Sequence, residues 1–265
     1  MPMSNTLSRL FVAAVGVPLV LGLVYLGGWW MFGLAAITAA IALHEFWLLA
    51  RPLSPLALAG YIGGLLSLLG AELGGVTWMV GGVLTTFLLA FLLKGISEAR
   101  QTPTASISAT VMGAVWIGMG LGFLILIRHS PDHGRLAALM VLLAVWAGDT
   151  LAYAGGRLFG RHKLAPTTSP GKTWEGFIFG TAATVFAVFV TLYKQHFLTV
   201  GQSLGLGAIL AVVSPLGDLF ESLLKRDMKV KDTGHLLGGH GGVLDRMDAL
   251  LFAAPAAYFC ILAFA

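Results

Sequence analysis

Apolar runs of about twenty residues follow one another along this 265-residue chain, and no other feature restricts its fold as strongly. A hydrocarbon core about 30 Å thick is crossed by about 20 residues of α-helix, and a helix is favoured there because it satisfies its own backbone hydrogen bonds. Nine runs qualify: 10–27, 30–50, 56–74, 76–93, 106–127, 136–156, 175–194, 203–222 and 248–265. Only Glu72 and the Gly74-Gly75 pair divide the third from the fourth. With 57% hydrophobic residues, the chain lacks the polar surface that a water-soluble domain requires. The expected fold class is all-α, a polytopic integral membrane protein of about nine transmembrane helices with residues 1–265 in one domain.

Charge supports the count of nine. If the polar stretch 222–248 faces the cytoplasm, nine spans place thirteen Lys and Arg on that side and leave only Arg128, Arg135 and Lys194 outside. Fusing the third and fourth runs would turn Arg9 and Arg51 outward and give eleven against five, a weaker positive-inside bias. The N-terminus is then cytoplasmic and the C-terminus outside. The formal charge of +4 follows from this topology, so anionic lipid headgroups are expected neighbours and nucleic acid is not. The first run has no small-x-small cleavage site before Gly27-Gly28-Trp29-Trp30 and is expected to remain as a helix, with both tryptophans at the interface. Cys260 is the single cysteine, which excludes an internal disulfide and a cysteine metal site. Paired glycines such as Gly63-Gly64 and Gly81-Gly82 read as close helix packing in lipid.

Against this apolar background, the stretch from Ser222 to Asp248 stands apart. It holds Ser222, Lys225-Arg226, Lys231-Asp232, the glycine-rich Gly238-Gly239-His240-Gly241-Gly242, and Asp245-Arg246-Met247-Asp248. Lys and Arg supply positive charge for phosphates, Asp supplies hard oxygen ligands for Mg²⁺, and glycines let backbone N–H groups approach an anion. Together they describe a site for a metal-bound polyphosphate. Just before it, Asp218, Glu221, Ser222 and Lys225 fall at i, i+3, i+4 and i+7, one face of a helix. Asp245 and Asp248 are likewise three apart, at the entrance to the last span.

In order and spacing this stretch resembles the signature of the phosphatidate cytidylyltransferases, the CDP-diacylglycerol synthases, over 27 residues and about a dozen fixed positions. A second polar cluster resembles the same family: Asp149-Thr150, Ser169-Pro170-Gly171-Lys172-Thr173 and Glu175-Gly176. The resemblance covers roughly residues 146–248. Asp149 and Tyr153 lie four apart on one face of the sixth run. Gly171-Lys172-Thr173 imitates the end of a P-loop, but Pro166 stands where the first glycine belongs and no strand is read ahead of it. Outside the resemblance, Glu45 beside His44 reads either as a hydrogen-bonded structural couple or as part of the wall of the polar cavity.

The resemblance implies a Mg²⁺-dependent nucleotidyltransferase of phospholipid biosynthesis that joins CTP to phosphatidate, giving CDP-diacylglycerol and diphosphate. Its partners are CTP, membrane phosphatidate and the bilayer, and a homodimer is compatible with it. The setting implied is a bacterial inner membrane, with a cytoplasm-facing polar cavity as the active site of a single catalytic domain. Carried over residue by residue, it implies Asp218, Asp245, Lys225 and Arg226 as the catalytic set and Asp218, Asp245 and Asp248 as Mg²⁺ ligands. It further implies that substrate is bound by Lys172, Ser169, Asp149, Ser222, Lys231, Asp232, His240, Gly241, Gly242 and Arg246. Two other readings remain open on the residues alone: a transporter for a phosphorylated solute, which would also use intramembrane acids, and a cytidylyl- or phosphotransferase acting on a polyprenol.

Overall fold

The computed structural model describes residues 5–96, 102–195, 197–230, 233–234 and 241–264, the first nine of them by backbone only. Among the described residues nine α-helices carry the fold: α1 Asn5–Leu26, α2 Gly28–Leu49, α3 Ala57–Ile96, α4 Pro103–Gly113, α5 Gly120–Arg128, α6 Gly134–Phe159, α7 Trp174–Leu192, α8 Val200–Asp227 and α9 Leu244–Phe264. A π turn, Ala114–Met119, joins α4 to α5, so that Pro103–Arg128 runs as one membrane-length rod. Among the described residues seven helices are long and apolar enough to cross a membrane: α2, α3, the α4–α5 rod, α6, α7, α8 and α9. Tyr25, Trp29 and Trp30 are exposed at the junction of α1 and α2, where aromatic rings suit a membrane interface.

The chain divides into two compact units, one of residues up to Leu126 with Met228–Met247, the other of Ile127–Asp227 with Asp248–Ala265. In the first, α3 is not one straight rod. Gly75 takes φ 72°, ψ −159°, a backbone conformation that side-chain-bearing residues rarely adopt, and the helix reverses there. The reversal brings Gly82 against the backbone of Leu66 and Ser67, and Gly63 against Thr86. Residues fifteen apart in a straight helix would be about 22 Å apart, so this is an antiparallel helical hairpin. Small residues likewise seat the large rings of α2. Trp47 lies over Gly60 and Gly113, and Phe46 meets Trp116 edge-on, with centroids 5.9 Å apart.

In the second unit α6 and α7 pack through glycine. Gly180 of α7 lies against Ala152 and Gly148 of α6, Gly176 lies against Ala152 and Gly156, and Thr184 Oγ1 donates to the Ala144 carbonyl across the interface at 3.4 Å. This is the small-residue contact through which membrane helices approach closely. Between these helices comes an element the sequence was not expected to contain: a two-stranded antiparallel hairpin, β1 Lys163–Ala165 paired with β2 Ser169–Thr173. An all-α reading therefore misses one small sheet. The strands are short, and Leu164, Ala165, Pro170 and Gly171 leave no regular alternation of polar and apolar residues to mark them. Glu175 closes the hairpin onto α7: its Oε2 accepts from Arg161 N at 3.0 Å and His162 N at 3.2 Å, and its Oε1 lies 2.6 Å from His162 Nδ1. Thr173 caps α7, accepting from Gly176 N at 3.1 Å.

Candidate active site

The second unit gathers acids around the meeting of α8 and α9. Gly217, on α8, lies against the backbone of Asp248 and Ala249, close enough that any side chain there would collide. That contact sets Asp248, only 8% exposed, among other carboxyls. Glu221 shares a hydrogen bond with it, and Asp218 and Asp149 stand near enough to act on it electrostatically. The helical stripe read from the sequence holds: Ser222 Oγ donates to Asp218 Oδ1 at 3.3 Å, and Lys225 Nζ pairs with Glu221 Oε1 at 3.2 Å. Glu221 is fully buried, so a charged carboxylate there needs this partner.

Lys172 reaches the same place from β2. Its Nζ lies 2.9 Å from Asp218 Oδ2 and donates to the Pro215 carbonyl at 3.2 Å. The hairpin, held by Glu175, therefore delivers a lysine to α8. Arg226 Nε donates to the Thr168 carbonyl at 3.2 Å, fastening the turn between the strands to the end of α8. Ser169 begins β2 opposite Ala165. Counting only groups shown to interact, four carboxyls (Asp149, Asp218, Glu221, Asp248) face two ammonium groups, Lys172 and Lys225.

The first unit holds the end of the signature stretch. Asp245 Oδ2 accepts three hydrogen bonds, from Thr233 N at 3.2 Å, Thr233 Oγ1 at 3.0 Å and Gly242 N at 2.8 Å. Gly241 beside it has φ 80°. A buried carboxylate from α2 completes the arrangement: Glu45, 4% exposed, accepts from Val243 N at 3.0 Å through Oε1 and from Leu244 N at 2.8 Å through Oε2. These N–H groups open α9, where a helix lacks internal acceptors and its dipole favours negative charge. Gly234 and Gly242 both press on the Glu45 carboxylate, and a side chain at either would collide with it.

A sequence profile of the cytidylyltransferase family matches residues 7–264, nearly the whole chain. The chain belongs to the cytidylyltransferase family. Its relatives include the phosphatidate cytidylyltransferase of Mycobacterium bovis, 33% identical over 267 residues that cover 94% of this chain and 85% of that protein. That of Staphylococcus aureus is 32% identical over 256 residues, 95% of each chain, and that of Synechocystis sp. is 31% identical over 288 residues, 96% of this chain and 95% of that protein.

Within this cytidylyltransferase, the expected site residues fall into three groups. Asp218, Ser222, Lys225, Lys172 and Asp248 are drawn together in the second unit with Asp149, while Arg226 and Ser169 brace the hairpin beside them. Asp245, Gly241 and Gly242 belong to the first unit, where Asp245 organises the loop and Arg246 is exposed. Lys231, Asp232 and His240, with Gly238 and Gly239, lie outside the described residues. Of the two readings left open for Glu45 and its neighbour, the couple is not the one found. His44 does not couple with Glu45; its Nδ1 lies 3.2 Å from the Tyr61 hydroxyl. Tyr153 accepts from Arg157 at 3.1 Å. Glu45 and Glu175 were missed as supports, since each acts on residues that sequence spacing does not connect to it.

Among the described residues, no three His, Cys, Asp or Glu side chains converge to hold a metal by themselves. Mg²⁺ commonly takes one or two protein carboxylates and completes its shell with water and substrate phosphates. The excess of carboxyls over ammonium groups around Asp248 fits such a cation.

Proposed function

We propose that this cytidylyltransferase acts on phosphatidate and CTP and forms CDP-diacylglycerol and diphosphate. The observation that carries the reading is the near full-length match to relatives named phosphatidate cytidylyltransferase. Intramembrane acids and lysines gathered where α8 meets α9 and β2 supply the chemistry it needs. A phosphatidate oxygen attacks the α-phosphorus of CTP, the new P–O bond forms, and the bond to the β-phosphate breaks with diphosphate leaving. Phosphatidate is already ionised, so the obstacle is repulsion between two polyanions, and positioning with charge neutralisation does most of the work. Lys172, with Lys225 and Arg226 on α8, draws the phosphates in and orients them. Ser222 keeps Asp218 aligned, and Asp149 completes the polar wall with Ser169.

Mg²⁺, when bound, offsets the charge that grows on the departing diphosphate. Asp218 and Asp248 are the residues that would hold it, and Asp245 joins them on the strength of the family resemblance. Lys231, Asp232, His240, Gly241, Gly242 and Arg246 contribute to nucleotide binding on the same ground. The setting proposed is a bacterial inner membrane, with α3 counted as two spans across the Gly75 reversal and α1 as a further one to make nine, the polar cavity and the N-terminus facing the cytoplasm, and residues 1–265 acting as one catalytic domain. The test uses purified full-length chain in detergent with phosphatidate, labelled CTP and Mg²⁺. Label is expected in a lipid product, lost on chelation and restored by Mg²⁺. A folded protein that binds CTP yet transfers no label overturns the reading, and label transfer that survives exhaustive chelation overturns the metal assignment.

A further inference from the structure

Helices α6, α7 and α8 line a small cavity of about 20 Å³, one helical turn along α8 from the Lys172–Asp218 pair. Ser214 and Thr181 line it from α8 and α7. Both hydroxyls are buried, Ser214 being only 4% exposed, and neither has a hydrogen-bond partner among the described residues. Their neighbours behave differently. Thr150, Thr191 and Ser203 each donate to the carbonyl four residues back, and Thr184, on the same cavity wall, donates to Ala144. Inside an apolar helix bundle an unmade hydrogen bond is costly, so two such hydroxyls facing one cavity call for an acceptor from outside the chain.

The chemistry of the wall narrows what that acceptor is. Among the described residues no Lys or Arg lines the cavity, and Asp149 does, which disfavours an anion. The remaining lining is apolar, as with Val145 and Phe177. An uncharged carbonyl oxygen carried on an apolar molecule suits it. The placement identifies the molecule. Pro215 lines the cavity, and its carbonyl accepts from Lys172 Nζ, the same ammonium that pairs with Asp218. Ser214 is four residues before Asp218, about 6 Å along the helix. A lipid whose phosphate is drawn to Lys172 has its glycerol esters within that reach.

We propose that Ser214 and Thr181 form a subsite for an ester carbonyl of the glycerolipid substrate, so that the enzyme selects diacyl over dialkyl lipid phosphates. The proposal rests on the phosphatidate reading of the site. Full-length protein in mixed micelles is assayed with CTP and Mg²⁺ against two lipids of equal chain length, diacyl phosphatidate and its dialkyl ether analogue, which lacks both carbonyls. The wild type shows a KM about tenfold lower for the ester lipid, the effect of one to two hydrogen bonds. In the Ser214→Ala, Thr181→Val double variant that ratio falls to near one by a rise in the ester KM, with the KM for CTP unmoved, and turnover of the ether lipid by the same preparation shows that it has folded. Equal KM values for the two lipids in the wild type mean that the cavity holds only water and overturn the proposal. So does a double variant that keeps the wild-type ratio. If the wild type uses neither lipid, the phosphatidate reading itself falls and the subsite with it.

Discussion

Replacing Glu45 with alanine removes the acceptor from two backbone donors at the start of α9, Val243 N and Leu244 N, held at 3.0 and 2.8 Å. Leu244 is fully buried, so water does not readily take the place of the carboxylate. Hydrogen bonds to a charged group contribute about 1.5–3 kcal/mol each, and a buried donor left unmade costs a similar amount. Loss of the favourable charge at the helix N-terminus adds up to about 1 kcal/mol. The terms overlap, and a total of about 3–5 kcal/mol is expected. Glu45→Gln keeps one acceptor oxygen and turns its amide N–H₂ toward a donor, so about half of that loss is expected. The assay is denaturant unfolding in detergent micelles, paired with limited proteolysis of the segment 228–247, which should be cut faster in the alanine variant than in the glutamine variant. An alanine variant as stable as the wild type, with unchanged cleavage, would show that the carboxylate supports nothing at α9.

Two further substitutions test the neighbourhood. Lys172→Met removes the partner of Asp218 and a phosphate-drawing charge, and kcat/KM for lipid transfer is expected to fall by about a hundredfold, the scale of one lost electrostatic contact to a developing charge; Lys172→Arg should recover part of it, and equal rates for wild type and Met variant would remove Lys172 from the site. Gly242→Ala places a methyl group against the Glu45 carboxylate and Thr233 Oγ1, and overpacking of this kind lowers stability by about 1–3 kcal/mol, measured by the same unfolding assay. An unchanged unfolding midpoint would mean the loop yields at no cost.

What the sequence discloses here depends on how far apart the interacting residues lie. Apolar run length set most helices to within a few residues, because crossing lipid is a local requirement met by each run alone. The Asp218-Glu221-Ser222-Lys225 stripe was legible for the same reason, four residues on one helix being neighbours by geometry. The hairpin of β1 and β2 was hidden, since two such short strands carry no period and the Glu175 latch acts through backbone N–H groups. Glu45 was visible as an expensive intramembrane carboxylate, yet its partners lie 198 and 199 residues away. The orphaned hydroxyls of Ser214 and Thr181 were invisible altogether: a serine in a membrane helix ordinarily satisfies itself, and only coordinates reveal one that does not.

Asp218 and Asp245 were read as equals in the sequence, and contrasting asparagine variants can separate them. Asp245 spends one oxygen on three donors, two of them backbone N–H groups, so the carboxylate organises the loop around Thr233 and Gly242. Asparagine keeps an acceptor that can turn to face those donors but loses the charge that strengthens each bond, and about 1–2 kcal/mol of stability is expected to go with it. Asp218 is 40% exposed at its side chain and holds Lys172 and Ser222. A partly exposed ion pair contributes about 1 kcal/mol at most, so Asp218→Asn should leave the unfolding midpoint nearly unchanged. Its effect should instead fall on turnover, with the Mg²⁺ concentration for half-maximal rate raised several-fold. Unfolding and Mg²⁺ titrations on both variants therefore form one experiment. If Asp245→Asn leaves stability intact, and Asp218→Asn lowers stability without raising the Mg²⁺ requirement, the division of labour argued from the three hydrogen bonds is wrong.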